Sequence, residues 1–184
     1  MSIQEIVKKE YIESYDALCF KTTSVAKVFF LSIVTFCIYD IILSLNYWKT
    51  LKENFGYKVS PFWRGVFNIF TNFRLFPIFA KYFETFNVKL AGASWLAGLY
   101  FICTWIDNRV NFKTAMLENI DWSLEIISLI LGIVTTLIFV VIQNKINIIN
   151  EKYYPNAPKN SWRLSNTIWT IVCLLLWFLA YLPS

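Results

Sequence analysis

Residues 24–46 read SVAKVFFLSIVTFCIYDIILSLN, with only two charged side chains, Lys27 and Asp40, in the run. A helix needs about 20 apolar residues, within roughly 17–25, to cross a bilayer core. This stretch has that length, and 90–106, 124–142 and 165–182 approach or match it. A fifth run, 62–79, is rich in Phe but interrupted by Arg64, Asn68, Asn72 and Arg74. The pattern predicts an all-α, polytopic helical membrane protein. It forms one membrane domain over 1–184, with transmembrane helices at 24–46, 90–106, 124–142 and 165–182.

Composition points the same way. The chain is 57% hydrophobic and 16% charged, with a mean hydropathy of +0.50, against about 45–50% and 25% in soluble domains. Tyr47, Trp48, Trp63, Trp105, Trp122, Tyr153, Tyr154, Trp162 and Tyr181 sit near run ends, where amphipathic rings anchor a helix at the headgroups. The net charge of +5 is small and dispersed, which argues against nucleic acid and for contact with membrane lipids. Cys19, Cys37, Cys103 and Cys173 form no C-x-x-C pair and the chain has no His, so neither a metal site nor a disulfide framework is expected.

Residues 2–19 predict an amphipathic surface helix, capped by Ser2 and Glu5 and apolar at Ile3, Val7, Tyr11, Tyr15 and Leu18. The run that follows is too long for a signal-peptide core. Thr22, Thr23 and Ser24 can cap the first span, Gly56 can end its extension, and Pro61 can start the next helix. In 62–79 the polar residues fall on one face. An interfacial or re-entrant helix is preferred to a fifth span, because mid-bilayer arginine costs at least about 2.5 kcal/mol. Pro77 is expected to end or bend it. Helix packing is assigned to Ala93, Ser94, Ala97 and Gly98, and to Ser128, Gly132 and Thr136, whose four-residue spacing lets backbones approach in lipid.

Lys and Arg gather on cytoplasmic loops. Four spans place 11 of them on one side against 6, with both termini external; five spans give 10 against 6, with the N-terminus inside. Both arrangements make the 143–164 loop cytoplasmic, and the 107–122 loop and C-terminus external.

An ionisable residue at membrane depth is a functional candidate, which singles out Asp40. Ser44 lies one turn away, and Arg64, Asn68, Asn72 and Arg74 complete a candidate intramembrane polar site. An Asp40 pair with Arg64 or Arg74 is the structural alternative. No catalytic residue or cofactor is indicated: His is absent, Asp40 has no acidic neighbour in sequence, and no nucleophile-elbow, zinc or P-loop motif occurs.

Lys27, Thr35, Tyr39-Asp40, Tyr47-Trp48-Lys49 and Pro61-Phe62-Trp63-Arg64 carry a resemblance. The stretch 24–79 resembles a family of small uncharacterised bacterial inner-membrane proteins, departing from it after Asp40, where the family is richer in aromatics. The resemblance covers under a third of the chain, implies a multi-span inner-membrane protein and assigns no activity. The expected function is that of a non-enzymatic membrane protein that self-associates as a homo-oligomer, or scaffolds a cytoplasmic protein partner at the 143–164 loop. The membrane subunit of a stress-sensing or phage-defence system is an example. The alternative is a small oligomeric channel or ion pathway using Asp40.

Overall fold

The run at 24–46 does not form one helix. The computed structural model describes residues 19–114 and 121–180. Helix α1 (Val25–Val34) stops at Thr35, and α2 (Ile38–Phe55) starts after Cys37. Between them Phe36 and Cys37 take φ values of 50° and 61°, a left-handed conformation that non-glycine residues seldom adopt. The Cys37 N–H donates to the Ser32 carbonyl at 2.7 Å, a bond that closes α1 and turns the chain. Helix α2 then returns beside α1. Asn54 Nδ2 donates to the Cys19 carbonyl at 3.0 Å, and Phe20 stacks on Phe55 at 5.4 Å. Ser32 donates to Asp40 across the turn, although eight residues of straight helix would separate them by about 12 Å. The expected 24–46 transmembrane helix is thus corrected to a helix hairpin. Gly56, at φ 69°, ends its second arm.

Helices α3 (Pro61–Val66) and α4 (Asn68–Glu84) make a second bent pair. Pro61 opens α3, where its missing N–H costs no helical bond. The chain bends at Phe67, so that Thr71 Oγ1 reaches the Arg64 carbonyl, seven residues back, at 2.6 Å. Helix α4 then runs the way α2 runs: Phe79 packs on Tyr47 at 5.0 Å, and Phe86, just past α4, packs on Tyr153 at 5.0 Å. Pro77 lies inside α4, so the helix continues through the expected break to Glu84.

Helix α5 (Ala93–Thr114) is antiparallel to α6 (Trp122–Tyr153), and theirs is the largest interface. Tyr100 meets Phe139 at 5.6 Å, and Ser128 Oγ donates to Asp107 Oδ1 at 2.5 Å. Helix α7 (Leu164–Ala180) is apolar and packs on α1. Residues 19–23, 54–60, 85–92 and 154–163 therefore gather at one end of the bundle, while the last turn of α5 and the first turn of α6 lie toward the other.

Among the described residues, α6 alone is long and apolar enough to cross a membrane; at 32 residues it is about 48 Å long. The four expected transmembrane helices reduce to this one by that criterion, because 24–46 is broken and α5 carries polar residues over its last two turns. The 143–164 loop is also shorter than expected, for α6 runs on to Tyr153. The cause is a polar stripe. Gln143 Nε2 donates to the Lys21 carbonyl (3.1 Å), Asn147 Nδ2 to the Thr23 carbonyl (2.7 Å) and Asn150 Nδ2 to the Phe20 carbonyl (2.7 Å). The extended segment 20–23 thereby accepts from three amides on successive turns of α6 and also forms a single parallel bridge with Lys159 through Thr22.

Aromatic residues build the core. Trp48, Phe20, Phe76, Phe79, Phe83 and Phe139 are fully buried. Tyr47, Trp48 and Tyr154, expected at an interface, belong to this core, whereas Trp63, Trp105, Trp122 and Trp162 are exposed. The helix expected over 2–19 lies, apart from Cys19, outside the described residues, as does Tyr181.

Candidate functional site

Three parallel helices set the site. Tyr47 on α2 and Phe76 on α4 both pack on Phe139 of α6, at 6.4 and 6.0 Å between ring centroids. One turn further from the gathered chain ends, the same helices carry Ser44, Asn72 and Thr136. Each is wholly inaccessible to solvent, and so is Asp40, one turn beyond Ser44. Residues three and four apart share a helix face, so the polar layer sits directly above the aromatic one.

Side-chain bonding in this layer is incomplete. Asp40 Oδ1 accepts from Ser32 Oγ. Asp40 Oδ2, Ser44 Oγ, Thr136 Oγ1 and both amide atoms of Asn72 have no hydrogen-bond partner. Buried polar atoms are normally paired, and an orphan costs about 1–3 kcal/mol. Five such atoms on three facing helices are therefore a departure that the hydrophobic packing does not explain.

The candidate residues divide accordingly. Asp40, Ser44 and Asn72 lie fully buried at this level of the two packed helices α2 and α4. Asn68 stands one turn along α4 from Asn72, where its amide donates to the Tyr100 hydroxyl at 2.8 Å. The arginines do not join them. The Arg64 guanidinium lies 4.4 Å over the Trp48 ring, a cation–π contact, and Arg74 is exposed. The alternative of an Asp40–arginine pair is thus corrected, and among the described residues the ion pair present is Lys49–Glu53, on the surface of α2.

Ser32 and Thr136 are members of the layer that a search for charged residues passes over. Ser32 was detectable in principle, as a polar residue in an apolar run, but its eight-residue spacing from Asp40 has meaning only in a hairpin. Of the packing stripes, Ala97 is buried in the α5–α6 interface while Ser94 is exposed. Ser128 bonds α5, and Gly132 faces the hairpin tip, where a Cβ would make an ordinary van der Waals contact with Cys37 Sγ at 3.6 Å.

Beyond the tip lies a cavity of about 440 Å³, lined by Ile33, Phe36, Cys37, Asp107, Asn111, Glu125, Ser128 and Gly132 among others. Cys37 Sγ forms part of its wall and sits 3.8 Å from Thr135 Oγ1, beside Thr136. No group of three or more metal-ligating side chains of His, Cys, Asp or Glu type occurs among the described residues, and none of the cysteines is in a disulfide. No protein-family model matches the chain, and neither a curated protein nor a solved structure is detectably similar to it.

Proposed function

We propose that this chain is a non-enzymatic integral membrane protein. Both helix hairpins enter the bilayer from one basic, cytoplasmic face, and the protein serves as a scaffold that presents this face to a protein partner. One observation carries the reading: the distribution of apolar and basic side chains over the fold. Thirty-seven large apolar side chains are exposed among the described residues, including Phe36 and Ile38 at the hairpin tip and Leu164, Trp169 and Phe178 on α7. A soluble monomer rarely exposes apolar patches beyond a few hundred Å². Eleven lysines and arginines cluster toward the end where the chain segments gather, from Lys21 to Arg163, against Arg109 and Lys113 at the other. That asymmetry supports taking this end as the cytoplasmic side.

On this reading α6 crosses with the shorter apolar stretches of α5 and α7 beside it, α1–α2 and α3–α4 are re-entrant, and the last turn of α5 and the first turn of α6 face outward. The C-terminus is external, the membrane is a bacterial inner membrane, and the 143–164 segment lies on the partner-binding face. Single cysteines at Tyr57, Asn87, Asn111 and Asn156 in a cysteine-free variant, probed with an impermeant maleimide on intact spheroplasts, test it. Only position 111 should label before permeabilisation. Labelling of 57 from outside would overturn the hairpins and restore a spanning 24–46 helix.

A second reading, a small ion pathway, is favoured by the orphaned atoms around Asp40. It requires a ring of protomers, and counting subunits in nanodiscs separates the two: three or more supports a pathway, a monomer or dimer the scaffold.

A further inference from the structure

We propose that Asp40, Ser44, Asn72 and Thr136 form a binding site for one small monovalent cation, Na⁺ in charge and size, reached from the acidic cavity at the hairpin tip. The donors of this layer match that ligand. Asp40 offers one carboxylate, Ser44 and Thr136 two hydroxyls and Asn72 an amide oxygen, all fully buried and each with an atom that has no hydrogen-bond partner at ordinary distance, Thr136 lying beside the Cys37 thiol. A single negative charge among neutral hard oxygens balances a charge of +1. A divalent ion would need more carboxylates to offset its desolvation, and a transition metal softer ligands.

Charge compensation is the second consideration. A buried carboxylate without a counter-charge is expensive, and the two arginines nearest in sequence are held elsewhere, on Trp48 and at the surface. A cation in the layer supplies what they do not. Access is the third. Asp107 and Glu125 line the cavity beyond the tip, and its wall at Cys37 stands three residues from Asp40. Carboxylates at the mouth of a low-dielectric cleft concentrate cations there. Only the side of access depends on the membrane placement proposed above; binding itself does not.

The test uses the purified full-length protein in detergent, melted in N-methyl-D-glucamine chloride and then with NaCl replacing it at constant ionic strength. A bound ion stabilises by mass action. A saturable rise in Tm of a few degrees is expected for the wild type. Asp40→Asn keeps the shape and removes the charge, and should abolish the rise. Thr136→Val and Ser44→Ala should each shift the half-saturating Na⁺ concentration upward about tenfold, the worth of one ligand oxygen at about 1.4 kcal/mol. These two carry the test if Asp40→Asn does not fold. The proposal is overturned if Na⁺ and N-methyl-D-glucamine give the same Tm, if Tm follows pH and ignores Na⁺, or if Asp40→Asn keeps the wild-type response. Failure of the maleimide test with a Na⁺ response intact would remove the membrane placement and leave the site.

Discussion

Gly65 holds α3 against α2 where a larger residue has no room. A Cβ there would lie 2.7 Å from Leu45 Cγ and 3.1 Å from the Leu45 backbone. Gly65→Ala should therefore cost about 1–3 kcal/mol by overpacking and lower Tm in detergent by several degrees. Gly98, with open space around it, is the contrast: Gly98→Ala should be neutral or gain up to about 1 kcal/mol from helix propensity. Equal effects at the two positions would contradict the α2–α3 packing. Asn150 acts differently, by bonding. Its amide donates to the Phe20 carbonyl and to Thr22 Oγ1, at 2.7 and 2.9 Å. Asn150→Ala should cost about 1–3 kcal/mol and expose the backbone amides around 20–23 to hydrogen exchange; unchanged protection there would remove the clamp from the account.

The hairpin turn makes its own prediction at the level of the element. Phe36 occupies the left-handed region, where a Cβ is penalised by roughly 1–2 kcal/mol and glycine is not. Phe36→Gly and Phe36→Ala remove the same ring. In the hairpin, the glycine variant should melt above the alanine variant by about 1 kcal/mol. In a continuous helix the order reverses by about the same amount, so the sign of the difference in Tm decides between them. This turn is also what the sequence conceals. Length and apolarity single out 24–46 as an apolar run, yet 23 residues serve equally as one long helix or two short arms. The usual punctuation, Gly or Pro, is missing at Thr35-Phe36-Cys37. By contrast, Gly56 and Pro61 are ordinary boundary residues and were readable as such. The polar stripe of 62–79 was visible, but which of its members turn inward depends on tertiary contacts: Asn68 and Asn72 go in, Arg74 stays out. In the same way, Gln143, Asn147 and Asn150 look like loop composition until segment 20–23 is laid beside them.

For the whole molecule, the hairpins remove a contradiction in the charge pattern. Counting 24–46 as a span puts the N-terminal region and residues 46–61 on opposite sides, so lysines on one of them must fall outside. A hairpin returns the chain to its starting side, and Lys21, Lys49, Lys52 and Lys58 share a face with Lys145, Lys152 and Lys159. A face so basic should favour anionic lipid, at about 1 kcal/mol for each Lys or Arg near the surface. Nanodiscs rich in phosphatidylglycerol should raise Tm by a few degrees over phosphatidylcholine. About 1 M salt, with its Debye length near 3 Å, should erase the difference. A difference that persists in high salt would point to acyl-chain effects instead.

The parallel packing of α2, α4 and α6 also sets an order of assembly. Asp40 leaves the ribosome 96 residues ahead of Thr136. At about 5–20 residues per second, the first hairpin waits roughly 5–20 s for the helix that completes its surroundings. During that interval its carboxylate has no finished interior to occupy. The hairpin, synthesised ahead of α6, is thus a segment whose burial finishes late, and a nascent chain halted before residue 136 would hold Asp40 near water.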